Sequence, residues 1–163
     1  MSRPEAKRPV DADVDLRVPA QRAELRRAPW ATLGVIALGG AAGALARYGL
    51  GVAFPRQAGA FPWTTLAINT VGCLLIGVLM VAITEVWSAP GWVRPLLGVG
   101  VLGGFTTFST YILEINQLLA GDAARTALAY LALTPVLALT AVWAGSAAAR
   151  AAARRYVRES RRA

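Results

Sequence analysis

Four long apolar stretches, separated only by short polar linkers, constrain this chain more than anything else in it. They run from about Ala31 to Phe54, Trp63 to Trp87, Trp92 to Leu119 and Ala123 to Ala149. A bilayer core of roughly 30 Å takes about 20 mainly apolar residues of α-helix, so each stretch is long enough to cross. The linkers carry turn chemistry: Pro55, Gly59 and Pro62 in the first, Pro90 and Gly91 in the second, Gly121 and Asp122 in the third. Linkers this short make consecutive helices antiparallel. A soluble all-α protein is the competing fold. Four spans in a row with so few internal charges disfavour it, and the expected class is an all-α integral membrane protein of four transmembrane helices.

Charge is confined to the ends. The chain has 17 Lys and Arg against 9 Asp and Glu, a net +8, although 56% of its residues are hydrophobic. Seven of the basic residues precede Trp30 and six lie from Arg150 onward. This divides the chain into a basic tail (1–29), a membrane domain (30–149) and a second basic tail (150–163). The first tail is expected to be disordered, with a short interfacial helix near Gln21–Arg27 as its one structured candidate, and it lacks the apolar core of a signal peptide. Basic tails also suit nucleic acid. Flanking apolar spans, they are better explained as orientation signals, and no nucleic-acid partner is expected. With both tails and Arg94 on one side, fourteen of the 17 basic residues share it. The positive-inside rule therefore puts both termini in the cytoplasm of a multi-pass plasma-membrane protein.

The lone Cys73 excludes an intrachain disulfide, and the absence of His excludes a His-ligated metal site. No nucleophile–base pair, metal cluster or phosphate loop is visible, so an enzyme is not expected.

Polar groups inside spans are costly and mark candidate function. In the first span, Gly39 and Gly43 form a GxxxG face for close helix approach. Arg47 either snorkels to the interface or faces a vestibule that attracts anions. In the second span, the Asn69 amide serves either as interhelical glue or as an anion ligand. The third span reads GVGVLGGFTTFSTYILEINQ from Gly98 to Gln117. Gly103, Gly104 and the polar residues after them make a poor uninterrupted helix, so a break near Gly103–Thr107 is expected. Broken spans are tolerated where the backbone is buried or lines a cavity, and they recur at ion sites. Ser109 and Thr110 add hydroxyls. Phe108 and Tyr111 lie three apart on one helix face, with Glu114 one turn further on. In the fourth span, Tyr130 and Thr134 either line a polar track or bond to neighbours, and Pro135 predicts a kink.

These motifs resemble the Fluc (CrcB) fluoride channels. The resemblance covers about residues 33–149 and rests on GGAAGALARY (Gly39–Tyr48), AINTVG (Ala67–Gly72) and GGFTTFST (Gly103–Thr110). It implies a passive channel that exports fluoride, built as an antiparallel dimer with two pores. It also implies a structural sodium ion at the dimer centre, held by backbone carbonyls that fall on Gly103 and Thr106. Carried over by motif, the fluoride pore falls on Asn69, Phe108, Tyr111, Ser109, Thr110, Tyr130 and Thr134, with Arg47 and Glu114 in a vestibule. The chemistry is coherent. Hydroxyl and amide donors replace the water of a strongly hydrated anion, aromatic ring edges carry partial positive charge, and a buried cation supplies a fixed potential.

Two features depart from that pattern. The family usually has a second Phe where this chain has Tyr111. The charge bias also favours a single orientation, whereas an antiparallel homodimer needs one sequence to insert both ways. The partner is therefore either a second copy or, as the bias suggests, an oppositely oriented paralogue. Two other functions compete: a subunit of a proton-coupled exporter of the small multidrug type, which would need a titratable acid within a span, and an accessory membrane subunit that conducts only with a partner.

Overall fold

A computed structural model describes residues 30–57 and 59–160. The expectations for residues 1–29, including a helix near Gln21–Arg27, lie outside the described residues, as does the end of the second tail. Among the described residues, four helical segments are long and apolar enough to cross a membrane: Trp30–Ala53, Trp63–Val86, Arg94–Ala120 and Ala124–Arg155.

Helix α1 is Trp30–Ala53. Helix α2 is Trp63–Val81, lengthened by a π-helical turn Ala82–Val86. Helix α3 is π-helical over Arg94–Leu102 and closes with one α-turn, Gly103–Phe105. After a break, α4 takes up the same span as Ser109–Ala120. Helix α5 is Ala124–Ser160. It passes the expected end at Ala149 because nothing there stops it: residues 147–153 are all Ala except Arg150, and Ala is the strongest helix former. The first linker turns at Gly59, whose φ is +75°. The last turns at Asp122, not at Gly121: Asp122 takes φ +56°, which a short polar side chain tolerates better than most.

Named contacts fix the directions. Across α1 and α3, Gly39 meets Leu96 and Gly100 while Gly43 meets Val101, so these two helices run parallel. Across α2 and α5, Gly77 meets Val142 and Ser146, and Glu85 pairs with Arg150 at 2.9 Å. Leu66, lower on α2, shares its cluster with Ala127 and Tyr130, so α2 and α5 also run parallel. Between α2 and α4 the order reverses: Thr65 bonds Glu114 and Asn69 bonds Thr107. The spans therefore alternate in direction.

The GxxxG face does what its spacing predicts. A Cβ on Gly39 would lie 2.5 Å from the Leu96 carbonyl oxygen, and one on Gly43 would collide with that of Val101. Gly104 is packed as closely against the backbone of Gly40. The aromatic core lies at the other end of the bundle, where Tyr130 and Leu118 are fully buried beside Leu66, Tyr111 and Ile115.

Candidate functional site

The break in the third span falls at Thr106–Phe108, just past the paired glycines. Gly103 and Gly104 stay helical, and the chain becomes extended at Thr106, with φ −75° and ψ 160°. Gly104 serves close packing. The break itself is specified by side chains that take over the bonds of the lost turn.

Asn69 is the first of them. Its Nδ2 donates to the Thr107 carbonyl at 2.9 Å, and its Oδ1 accepts the Thr107 amide at 2.8 Å. Thr107 is the second. Its Oγ1 accepts the Thr110 amide at 3.1 Å, the service of an N-cap, and donates to Thr110 Oγ1 at 3.0 Å. In an unbroken helix the Thr107 and Thr110 amides would bond the carbonyls four residues back, which are those of Gly103 and Thr106. Both amides are diverted, so both carbonyls are released from the helical ladder. Unladdered carbonyl oxygens suit a hard cation. The pair singled out for sodium thus fits that ion in donor type.

Two cavities flank the break. One, of about 370 Å³, is lined by Asn69, Gly103, Thr106, Phe108, Tyr111 and Thr134, among others. The second, also about 370 Å³, brings together Arg47, Thr65, Thr110 and Glu114. Thr107 lines both, so it stands as the wall between them. The two expected vestibule residues share the second cavity. Arg47 does not simply snorkel: its Nε donates to the Gly104 carbonyl at 3.1 Å. Glu114 is half-buried, and its carboxylate accepts from Thr65 Oγ1 at 2.9 Å and from the Tyr130 hydroxyl at 2.8 Å.

The expected pore residues differ in what they have left to offer an anion. Thr134 Oγ1 donates to the Tyr130 carbonyl, and the Tyr130 hydroxyl is committed to Glu114. The Tyr111 hydroxyl is committed to the Leu131 carbonyl. Of these pore residues, the second N–H of Asn69 and the Thr110 hydroxyl have no acceptor among the described residues, and the Ser109 hydroxyl has only Thr107 Oγ1, at 3.4 Å. Phe108 and Tyr111 do adjoin, with ring centroids 5.9 Å apart. Phe108 is 75% exposed, however, and Tyr111 only 6%.

Thr65 and Thr107 were not among the residues singled out from sequence. Thr65 carried a signal: it lies four before Asn69, one helical turn away on the same face of α2. Thr107 sits in the FTTFST motif, but nothing local distinguishes it from Thr106.

Residues 34–146 match the family described as CrcB-like protein, Camphor Resistance (CrcB). Over 128 residues, 76% of this chain and 83% of its relative, the sequence is 55% identical to "Fluoride-specific ion channel FluC 1" of Streptomyces coelicolor. It is 51% identical over 121 residues to "Fluoride-specific ion channel FluC 2" of Streptomyces avermitilis, covering 74% of this chain and 77% of that one. It is 52% identical over 120 residues to "Fluoride-specific ion channel FluC 2" of Nocardia farcinica, covering 74% and 86%.

Proposed function

The chain belongs to the CrcB family, and from that premise we propose that it is the subunit of a passive, fluoride-selective channel that lets fluoride leave the cytoplasm down its gradient. The observation that carries this reading is the third-span break, with one cavity on each side of Thr107 and uncommitted donors around it. A strongly hydrated anion crosses only where donors replace its water. Asn69, Thr110 and Ser109 offer them, while Arg47 raises the local anion concentration at the vestibule. Phe108 and Tyr111 contribute ring edges; Tyr130 and Thr134 act as the second rank, shaping the track through bonds to protein acceptors. Glu114 fixes the Tyr130 and Thr65 hydroxyls.

The released carbonyls of Gly103 and Thr106 would hold a structural sodium ion, which supplies a fixed positive potential beside the path. Gly103 and Phe108 are both exposed in the single chain, as an antiparallel dimer closing over this face requires. The termini lie in the cytoplasm, the side that also carries Arg94, Arg150, Arg154 and Arg155. That bias, together with the numbered names of the relatives, favours an oppositely oriented paralogue as the partner over a second copy.

The test is fluoride efflux from liposomes, read with a fluoride electrode against a chloride control. Fast fluoride-only efflux from this chain alone establishes the channel and removes the need for a paralogue. Efflux only after a paralogue is co-reconstituted supports the heterodimer. No fluoride flux in either case overturns the proposed function.

A further inference from the structure

Pro135 lies inside α5 and has no N–H to donate. The carbonyl it leaves without its helical donor is that of the residue four before it, Leu131. In hydrocarbon such an orphan is costly, because no water is present to satisfy it. The Tyr111 hydroxyl donates to this very oxygen at 2.6 Å, from a different span. Tyr111 and Pro135 both line the cavity that contains Asn69 and Phe108. We infer that Tyr111 is a positioning residue whose hydroxyl masks the carbonyl freed by Pro135, and that the two residues form a functional pair.

Three consequences follow from the geometry. The phenol adds no free donor to the cavity, because its proton is spent on α5. The ring is tied to α5 through that bond, beside Tyr130 with centroids 5.1 Å apart. A bare carbonyl oxygen beside an anion path would present partial negative charge to the ion, and the bond removes it. Tyrosine at 111 is on this account the counterpart of proline at 135, and not a weakened phenylalanine. The role in conduction rests on the fluoride-channel reading; the hydrogen bond does not.

The experiment is a double-mutant cycle on the full chain, with its partner if it needs one. It compares Tyr111→Phe, Pro135→Ala and the double variant by fluoride efflux and by thermal unfolding in detergent. Tyr111→Phe alone unmasks the carbonyl, and efflux falls on the order of tenfold. Restoring the amide with Pro135→Ala satisfies Leu131 from within α5, so the double variant conducts as Pro135→Ala alone does. Unfolding follows the same pattern: Tyr111→Phe lowers the midpoint by roughly 2–4 °C in the proline background and leaves it unchanged in the alanine background. Equal effects of Tyr111→Phe in both backgrounds overturn the pairing. If no variant carries fluoride, the channel reading fails, and the unfolding cycle alone still decides whether the hydroxyl and the proline are coupled.

Discussion

Asn69 grips the Thr107 peptide with both ends of its amide, donating to the carbonyl at 2.9 Å and accepting from the N–H at 2.8 Å. A side chain on α2 thereby replaces a turn of helix in the neighbouring span. The same contact diverts the amide that would otherwise occupy the Gly103 carbonyl. One half of the proposed ion site therefore follows from Asn69, and the other, the Thr106 carbonyl, from Thr107, whose hydroxyl diverts the Thr110 amide.

Asn69→Ala therefore has two effects. The Thr107 peptide loses both partners, at a cost of about 1–3 kcal/mol for buried groups left unpaired. Fluoride efflux falls more than a stability loss of that size explains, because the remaining Asn69 donor goes too. A melting curve and an electrode trace on the same preparation check both effects. Normal efflux at a lowered melting point would leave Asn69 as a structural clamp only.

Thr110→Val keeps the shape of the side chain and removes a hydroxyl that accepts from Thr107 and still has its own proton to give. Efflux is expected to drop several-fold with little change in thermal stability. Thr134→Val, whose hydroxyl already donates to the Tyr130 carbonyl, is expected to cost less flux. An inverted order would show that the committed hydroxyl is the one that meets the ion.

Glu114→Gln separates a channel from a proton-coupled exporter. A coupled exporter loses transport with its titratable acid. In the channel reading the amide still accepts one of the two hydroxyls that now bond the carboxylate, so passive efflux persists. Efflux measured with and without an imposed pH gradient decides it: dependence on the gradient in the parent chain and loss in the variant would favour the exporter.

Gly43→Ala places a methyl group on the Val101 carbonyl oxygen. Backbone cannot move aside as a side chain can, so destabilisation of about 1–3 kcal/mol is expected. Gly49→Ala, in the same helix with nothing within 4 Å of the added carbon, is expected to be tolerated. Thermal unfolding of the two variants side by side makes the comparison.

Much of the fold was legible because length and apolarity alone specify a span. The close approach at Gly39 and Gly43 followed from spacing, and the third-span break from composition. Its exact position did not. Paired glycines suggest backbone freedom, yet Gly104 is helical and packed against Gly40, and the chain departs from helix at Thr106. What fixes that point is Asn69, which is 38 residues from Thr107 in sequence and has no local signature there. The same holds for Tyr111: Pro135 announces an orphaned carbonyl, but only the packing of α4 on α5 shows which hydroxyl reaches it. Apolarity to Ala149 gives the length of the fourth span and says nothing of where its helix stops; α5 runs on to Ser160, because a span can end while its helix continues.

That continuation has a mechanical meaning. At 37 residues, α5 has a contour of about 55 Å, so roughly 25 Å of it exceeds the thickness of a bilayer core. The C-terminal part of α5 is then a stiff mast, not a tether. A fluorophore placed at Arg154 would report the tilt of the fourth span as a lever reports its fulcrum, and a reporter fused beyond Ser160 would be carried clear of the channel mouth.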